Sequence, residues 1–335
     1  MKVTDFDFPL PPDLIAERPL QDRDLSRLLV LHRDGSVEHK YFSDFPTYLN
    51  KGDLVLTNNT KVFPARLTGV KKNGRRIDIL FVREQEENVW VVLSKGGYTG
   101  PLTISKDLKV DIFKGKTAHV HCNGDFTRLI WKYGSMPLPP YIKRLPEESD
   151  KKHYQTIFAK HEGSIAAPTA GLHFTDNTIK ELLAKEVLLR ELTLHVGIGT
   201  FRPIRTSYLE DHSMDAEYFE FDRGIIQEIK RVRASGNKIL SVGTTTTRAI
   251  EGYMSGRCHV VSCNGKLQGT TDMFIYPGYT FNAVDSLLTN FHLPRSTPLM
   301  LASAKCNRES LLYAYRQAIA KRYRFLSYGD AMLIL

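Results

Sequence analysis

Cysteine is scarce in this chain. It supplies four of 335 residues, Cys122, Cys258, Cys263 and Cys306, and no two form a C-x-x-C pair. That speaks against a disulfide framework or a structural zinc site and fits a reducing, cytoplasmic setting, with each cysteine a small apolar side chain. Long hydrophobic runs are missing too: none approaches the ~20 residues a membrane helix needs. The opening MKVTDFDFPLPPDL carries Asp5 and Asp7 early, unlike a secretory leader. Neither H-x-x-x-H nor H-E-x-x-H spacing occurs, which leaves little support for a hydrolytic metal centre. There is no internal repeat, and the only low-complexity tract is four threonines in a row. Acidic residues are in deficit, 37 against 46 Lys and Arg, for a net charge of +9. That excess favours polyanionic partners: nucleic acid, anionic membrane or phosphorylated substrates.

What is present is a globular composition, 42% apolar and 25% charged, with length for roughly two domains. The first 60 residues read as mixed α/β, with an apolar run at Leu28–Leu31, a turn at Asp34-Gly35 and a buried strand at Asp53–Thr57. Six short segments rich in Val, Ile, Phe, Trp and Thr follow, at 62–70, 76–83, 88–94, 108–113, 117–122 and 126–132. Turn residues separate them, among them the hairpin pair Asn73-Gly74, so they are expected to form a small antiparallel barrel. Lys71, Lys72, Arg75 and Arg76 crowd that hairpin tip, which reads either as a solvated turn or as a face for RNA. The Pro-rich link Met136–Ile142 closes the block, and charges from Lys143 to Lys152 mark an exposed connection. The expected organisation is an α/β catalytic domain made of residues 1–60 and 154–335, with a barrel domain inserted at 61–153.

Beyond residue 154, helical and strand patterns alternate, which argues for a layered α/β domain. Thr178-x-x-Glu181 has the form of a capping box ahead of Leu182 and Leu183. Strands are expected at 192–196 and 238–243, and helices from Ile225 to about Ser235, after the threonines 244–247, and over 311–323.

Several stretches carry candidate chemistry. Gly197-Ile198-Gly199 lacks the third glycine of a dinucleotide fingerprint, since position 202 is Arg202. Its glycines still admit close backbone approach, and Arg202 and Arg205 beside them suit an anionic ligand. In SVGTTTTRAIE a strand runs into a hydroxyl-rich turn and a helix, so Thr244, Thr245 and Arg248 can hold a carboxylate, ribose or phosphate; ordinary N-capping by threonine is the competing reading. His173, His195, His212 and His292 sit in turns or at strand ends of one domain, where at least one functional histidine is expected. Glu217 lies in a comparable setting. Asp330 precedes an apolar terminus, and a buried carboxylate there needs a partner or a chemical task. YPGY (276–279) and LLTNFHLPRSTPLM (287–300) combine aromatics, an amide and a histidine, suited to stacking on a base or to filling a domain seam. APTAGLHFT (167–175) holds one histidine on a turn of small residues.

Ten stretches, from DFDFPLPPDLIAERPL through NNTKVFPARL, MPLPPYI, YQTIFAKHEGSIAAPTAGLHFT, LTLHVGIGTFRPI, SVGTTTTRAIE and LLTNFHLPRSTPLML to YRFLSYGDAML, give the chain a near end-to-end resemblance to the S-adenosylmethionine:tRNA ribosyltransferase-isomerase (QueA) family of queuosine biosynthesis. The resemblance implies an α/β domain with an inserted β-barrel and a complete, monomeric enzyme. The implied reaction joins the ribose of S-adenosylmethionine, through C5′, to the aminomethyl group of a 7-deazaguanine at the tRNA wobble position. Rearrangement gives epoxyqueuosine-tRNA, and adenine and methionine leave. S-adenosylmethionine is thus a co-substrate, the partner is the tRNA anticodon loop, and no metal or prosthetic group is implied. On the matched motifs, His173, Glu217 and Asp330 are candidates to take the C5′ proton. His195 or His292 would donate to the leaving adenine. Arg202 or the turn of Thr244, Thr245 and Arg248 would hold the methionine carboxylate. Thr169, Gly171 and Asn290 are further substrate contacts, and Lys71, Lys72, Arg75 and Arg76 would meet RNA. The chain departs from the family pattern at Asp215, where many relatives carry histidine, at Asn59 and Lys61, where Asp and Arg are common, and in SAKCN (303–307). A non-catalytic RNA-binding protein and a metal-dependent hydrolase are the alternatives from other classes.

Overall fold

The computed structural model describes residues 1–201, 203–263 and 265–335, excepting the side chains of Thr200, Phe201 and Cys263. A ten-stranded mixed sheet organises the larger part. Its order is His259–Cys263, Lys266–Thr271, Glu217–Asp222, Leu188–Leu194, Leu54–Asn58, Ile239–Val242, Ser286–Asn290, Ala331–Ile334, Arg27–Leu31 and Val37–Tyr41. The four from Leu188–Leu194 to Ser286–Asn290 run parallel, and Ala331–Ile334 turns antiparallel against Ser286–Asn290. LVLTN, ILSV, SLLTN and AMLI are buried at every position. Such unbroken runs fit strands covered on both faces. Alternate residues supply the two covers: Leu28 and Val30 join Phe42, Phe45 and Phe174 on one face, while Leu29 and Leu31 join Tyr315, Phe291 and Phe325 on the other.

The barrel closes through Thr117–Cys122, Val89–Ser94, Arg76–Glu86, Arg66–Val70, Gly100–Ser105 and Leu108–Phe113, all antiparallel. Two of the expected segments need correction: of 62–70 only Arg66–Val70 joins the barrel, because Thr60–Val62 pairs with His161–Ser164 in a separate two-stranded sheet, and 126–132 is not a strand. Residues 126–132 belong to an α-helix, Phe126–Tyr133, because Asp125 caps it by accepting from the Thr127 N–H and because Phe126, Leu129, Ile130 and Tyr133 recur at helical spacing. β-propensity in FTRLIWKY was the weaker guide. The sixth barrel strand is instead Gly100–Ser105, hidden in the sequence by Pro101 and the glycines around it. Gly134 ends the helix where no side chain fits: a Cβ would lie 2.0 Å from the Pro64 carbonyl oxygen.

The helix Asp176–Ala184 also starts earlier than its motif implied. Thr175, not Thr178, is its cap, accepting from the Thr178 N–H. Elsewhere the expected elements are present, with the helices Gly224–Ala234, Thr244–Met254 and Arg308–Ala320. No helix among the described residues is long and apolar enough to cross a membrane.

Candidate active site

A cavity of about 370 Å³ lies beyond the carboxyl ends of the parallel strands, where ligands gather in open α/β sheets. Val196, Gly243, Thr244, Thr245, Thr289, Asn290 and His292 form the sheet-side wall, and Ala167–Ala170 of the APTAGLHFT turn faces them. Pro140, Tyr141, Phe291, Leu293, Pro298 and Leu326 make the rest largely apolar. Gly243, at φ +89°, turns the chain from strand into helix in a conformation that other residues rarely adopt. No side chain caps that helix. Thr246 donates to the Val242 carbonyl, Thr247 to Ser241 and Gly243, and Thr245 accepts from Asn58, so the competing reading of threonine N-capping fails. The first-turn N–H groups therefore stand at the cavity wall, with the partial positive charge of a helix N-terminus.

One wall group has a fully determined orientation. Asn290 is 2% exposed, and its amide contacts the Leu326 carbonyl at 3.2 Å and His173 Nε2 at 3.1 Å. A carbonyl only accepts, so the amide nitrogen faces both. His173 Nε2 must then accept, and its Nδ1–H donates to the Ser26 hydroxyl 2.8 Å away. Asn290 Oδ1, in consequence, is a buried acceptor with no partner. Burial, then the Arg23 and Arg324 charges, pull the His173 pKa down to about 3, so the ring is neutral.

His292 lines the cavity directly. Its Nε2 pairs with the Thr289 hydroxyl at 2.8 Å, and burial lowers its pKa to about 3. Tyr141 closes the opposite side, bonded to the Ser327 hydroxyl at 2.6 Å, with its pKa pushed up to about 12 by burial.

Comparisons with known proteins agree with this geometry. The family model of queuosine biosynthesis proteins matches residues 3–334. This chain belongs to that family. Two relatives called S-adenosylmethionine:tRNA ribosyltransferase-isomerase, from Thermodesulfovibrio yellowstonii and Halothermothrix orenii, are 50% and 46% identical to it, each over 100% of both chains. The crystal structure of the S-adenosylmethionine tRNA ribosyltransferase of Thermotoga maritima aligns with a TM-score of 0.57 at 34% identity, covering 99% of this chain and 100% of that one.

Within this queuosine biosynthesis protein, Thr169, Thr244, Thr245, Asn290 and His292 meet at the cavity, while His173, Glu217 and Asp330 do not line it. His173 stands one layer behind, its ring nitrogens both engaged. Glu217 is 4% exposed; its Oε1 accepts from the Gly197 N–H at 2.9 Å and its Oε2 pairs with Arg248. Arg248 also donates to the Met273 carbonyl, and its Nη2 is buried without a partner, beside a small void bounded by Thr244, Thr245, Met214 and Leu301. Asp330 is the most fully engaged of the three candidate carboxylate and histidine groups. Both its oxygens are filled, by the Arg27 N–H and guanidinium and the Arg324 N–H, and it ties three segments together.

His195 is likewise remote from the cavity: Nδ1 pairs with Thr60, the ring stacks on Tyr218, and burial lowers its pKa to about 4. Gly171 packs behind the turn, where a Cβ would crowd Thr156 at 3.0 Å, so it shapes the turn and does not admit ligand. Arg202 lies outside the described residues. The hairpin tip forms as expected, with Gly74 at φ +81° and Lys71 over the Tyr98 ring at 4.0 Å. The departures have partners of their own: Asn59 donates to Glu191, which an aspartate cannot do, and Lys61 pairs with Glu162 at 2.7 Å. Ser26, Tyr141 and Ser327 escaped the sequence reading of the site, although each lies inside or beside a matched motif. Among the described residues no cluster of three His, Cys, Asp or Glu side chains can hold a metal ion.

Proposed function

We propose that this chain is an S-adenosylmethionine:tRNA ribosyltransferase-isomerase, acting in the cytoplasm as a monomer on a 7-aminomethyl-7-deazaguanine in the anticodon loop. Its products are epoxyqueuosine-tRNA, adenine and methionine. Full-length likeness to enzymes of that name supports the reading. The structural observation that carries it is the apolar cavity with an uncapped helix N-terminus at one wall.

The sulfonium co-substrate has features that match these groups. Its carboxylate is attracted by the N–H groups of the Thr244 turn, by the Thr244 and Thr245 hydroxyls and by the spare N–H of Arg248. In the tautomer whose Nε2 accepts from the Thr289 hydroxyl, His292 carries its hydrogen on Nδ1 and can offer it to the departing adenine as a neutral donor. Apolar walls keep water from the acidified C5′ position, where an ylide would otherwise be quenched. His173 acts in this scheme as a positioning residue for Asn290.

Single-turnover incubation with S-adenosylmethionine and tRNA carrying the aminomethyl precursor tests the assignment. Adenine and methionine should both appear. Methyl transfer with formation of S-adenosylhomocysteine would overturn it, and light scattering of the purified protein checks the monomeric state.

A further inference from the structure

A second concavity, about 560 Å³, adjoins the cavity and shares Pro203 and Pro294 with it as common wall. Its rim is built from three stretches distant in the chain, 2–4, 203–208 and 294–295. The segment Lys2–Thr4 is stitched to Ser207 and Tyr208, through the Val3 N–H to the Ser207 carbonyl at 3.0 Å and a bridge between Lys2 and Tyr208. Arg205 and Arg295 complete it.

Three cations therefore face one groove. Lys2 and Arg205 are exposed and make no salt bridge among the described residues, and Arg295 meets only Asp7, loosely, at 3.6 Å. Tyr208 presents its ring there, 48% exposed. Cations beside an exposed aromatic are what a single strand of RNA requires: charge for its phosphates and a flat face for a base.

Resting on the function proposed above, we infer that this groove seats the RNA strand flanking the modified nucleotide. The two hollows share the Pro203 and Pro294 wall, so a nucleotide whose base enters the cavity can lead its backbone past these prolines into the groove. Lys2 and Arg205 neutralise phosphates, and Tyr208 stacks on the neighbouring base.

Binding of an anticodon stem–loop RNA to the full chain, measured by fluorescence anisotropy across a salt series, tests this. Lys2→Ala with Arg205→Ala should weaken binding about tenfold or more and lower the slope of log Kd against log salt by about 2. Tyr208→Ala should weaken binding about tenfold with the slope unchanged, and Tyr208→Phe should restore it. Calorimetry should show S-adenosylmethionine binding unaltered in all three variants. If the wild-type protein binds the RNA and these variants match it in affinity and slope, the groove assignment falls while the enzymatic reading stands. If the wild-type protein neither binds the RNA nor turns it over, both fall together.

Discussion

His173 Nε2 and Asn290 Nδ2 lie 3.1 Å apart behind the cavity wall, and the direction of that hydrogen bond is set by a third group, the Leu326 carbonyl. The bond makes the imidazole an acceptor and leaves the amide oxygen buried without a partner. A histidine so held has no site left for the substrate's proton. His173→Ala should therefore lower kcat/KM for S-adenosylmethionine by about tenfold or more, as expected for loss of one buried hydrogen bond. The pH profile distinguishes the roles. If His173 only positions Asn290, the wild-type and variant profiles have the same shape; an acidic limb that vanishes in the variant would mark it as the base.

Stability against pH follows from the neutral histidines. His173 and His292 titrate near 3 when folded but near the ordinary value of 6.5 when unfolded, and His195 near 4. Between those values the unfolded chain binds protons that the folded chain refuses. Stability is therefore full above about pH 6.5 and falls as pH drops towards 3, by up to about 1.4 kcal/mol per pH unit for each histidine. Urea melts between pH 7 and pH 4.5 should show this slope, and His173→Gln should flatten it. A variant with the wild-type slope would remove His173 from the account.

Glu217 and Arg248 form a buried ion pair, 4% and 5% exposed. Removing one partner strands the other, so Glu217→Ala should cost about 3–5 kcal/mol in urea unfolding. Glu217→Gln combined with Arg248→Met should cost less than the sum of the two single changes. Additive losses would show that the pair is not coupled.

Asp330→Asn should destabilise the fold by about 2 kcal/mol, because a charge-assisted acceptor for two backbone N–H groups and Arg27 is lost. Below its melting temperature the variant should keep kcat within a factor of about two if Asp330 is structural. A loss of several orders of magnitude in a folded variant would restore Asp330 as a catalytic carboxylate.

Lys71→Ala with Arg75→Ala at the barrel hairpin should weaken tRNA binding and reduce its salt slope by about 2 if the tip touches RNA. An unchanged slope leaves the tip as a solvated turn, with Lys71 occupied by Tyr98.

Local chemistry in the sequence was enough for much of the architecture. The apolar runs Leu28–Leu31 and Leu54–Leu56 are strands, Asn73-Gly74 is a hairpin turn, and the GTTTT stretch turns strand into helix, because each outcome depends on neighbours within a few residues. FTRLIWKY shows the limit of that reading: its residue types favour a strand, but the Asp125 cap and the spacing of its apolar positions against the barrel core make it a helix. The motifs likewise identified which residues matter without saying how. Asp330, Glu217 and His173 are chemically fit to move a proton, and only the folded chain decides that Asp330 is saturated by Arg27 and Arg324, that Glu217 belongs to Arg248, and that His173 faces Asn290. Partners separated by between 6 and 303 positions hold those three side chains. Residue type and spacing fix what a side chain is able to do; burial and long-range hydrogen bonding decide which of those capacities remains free.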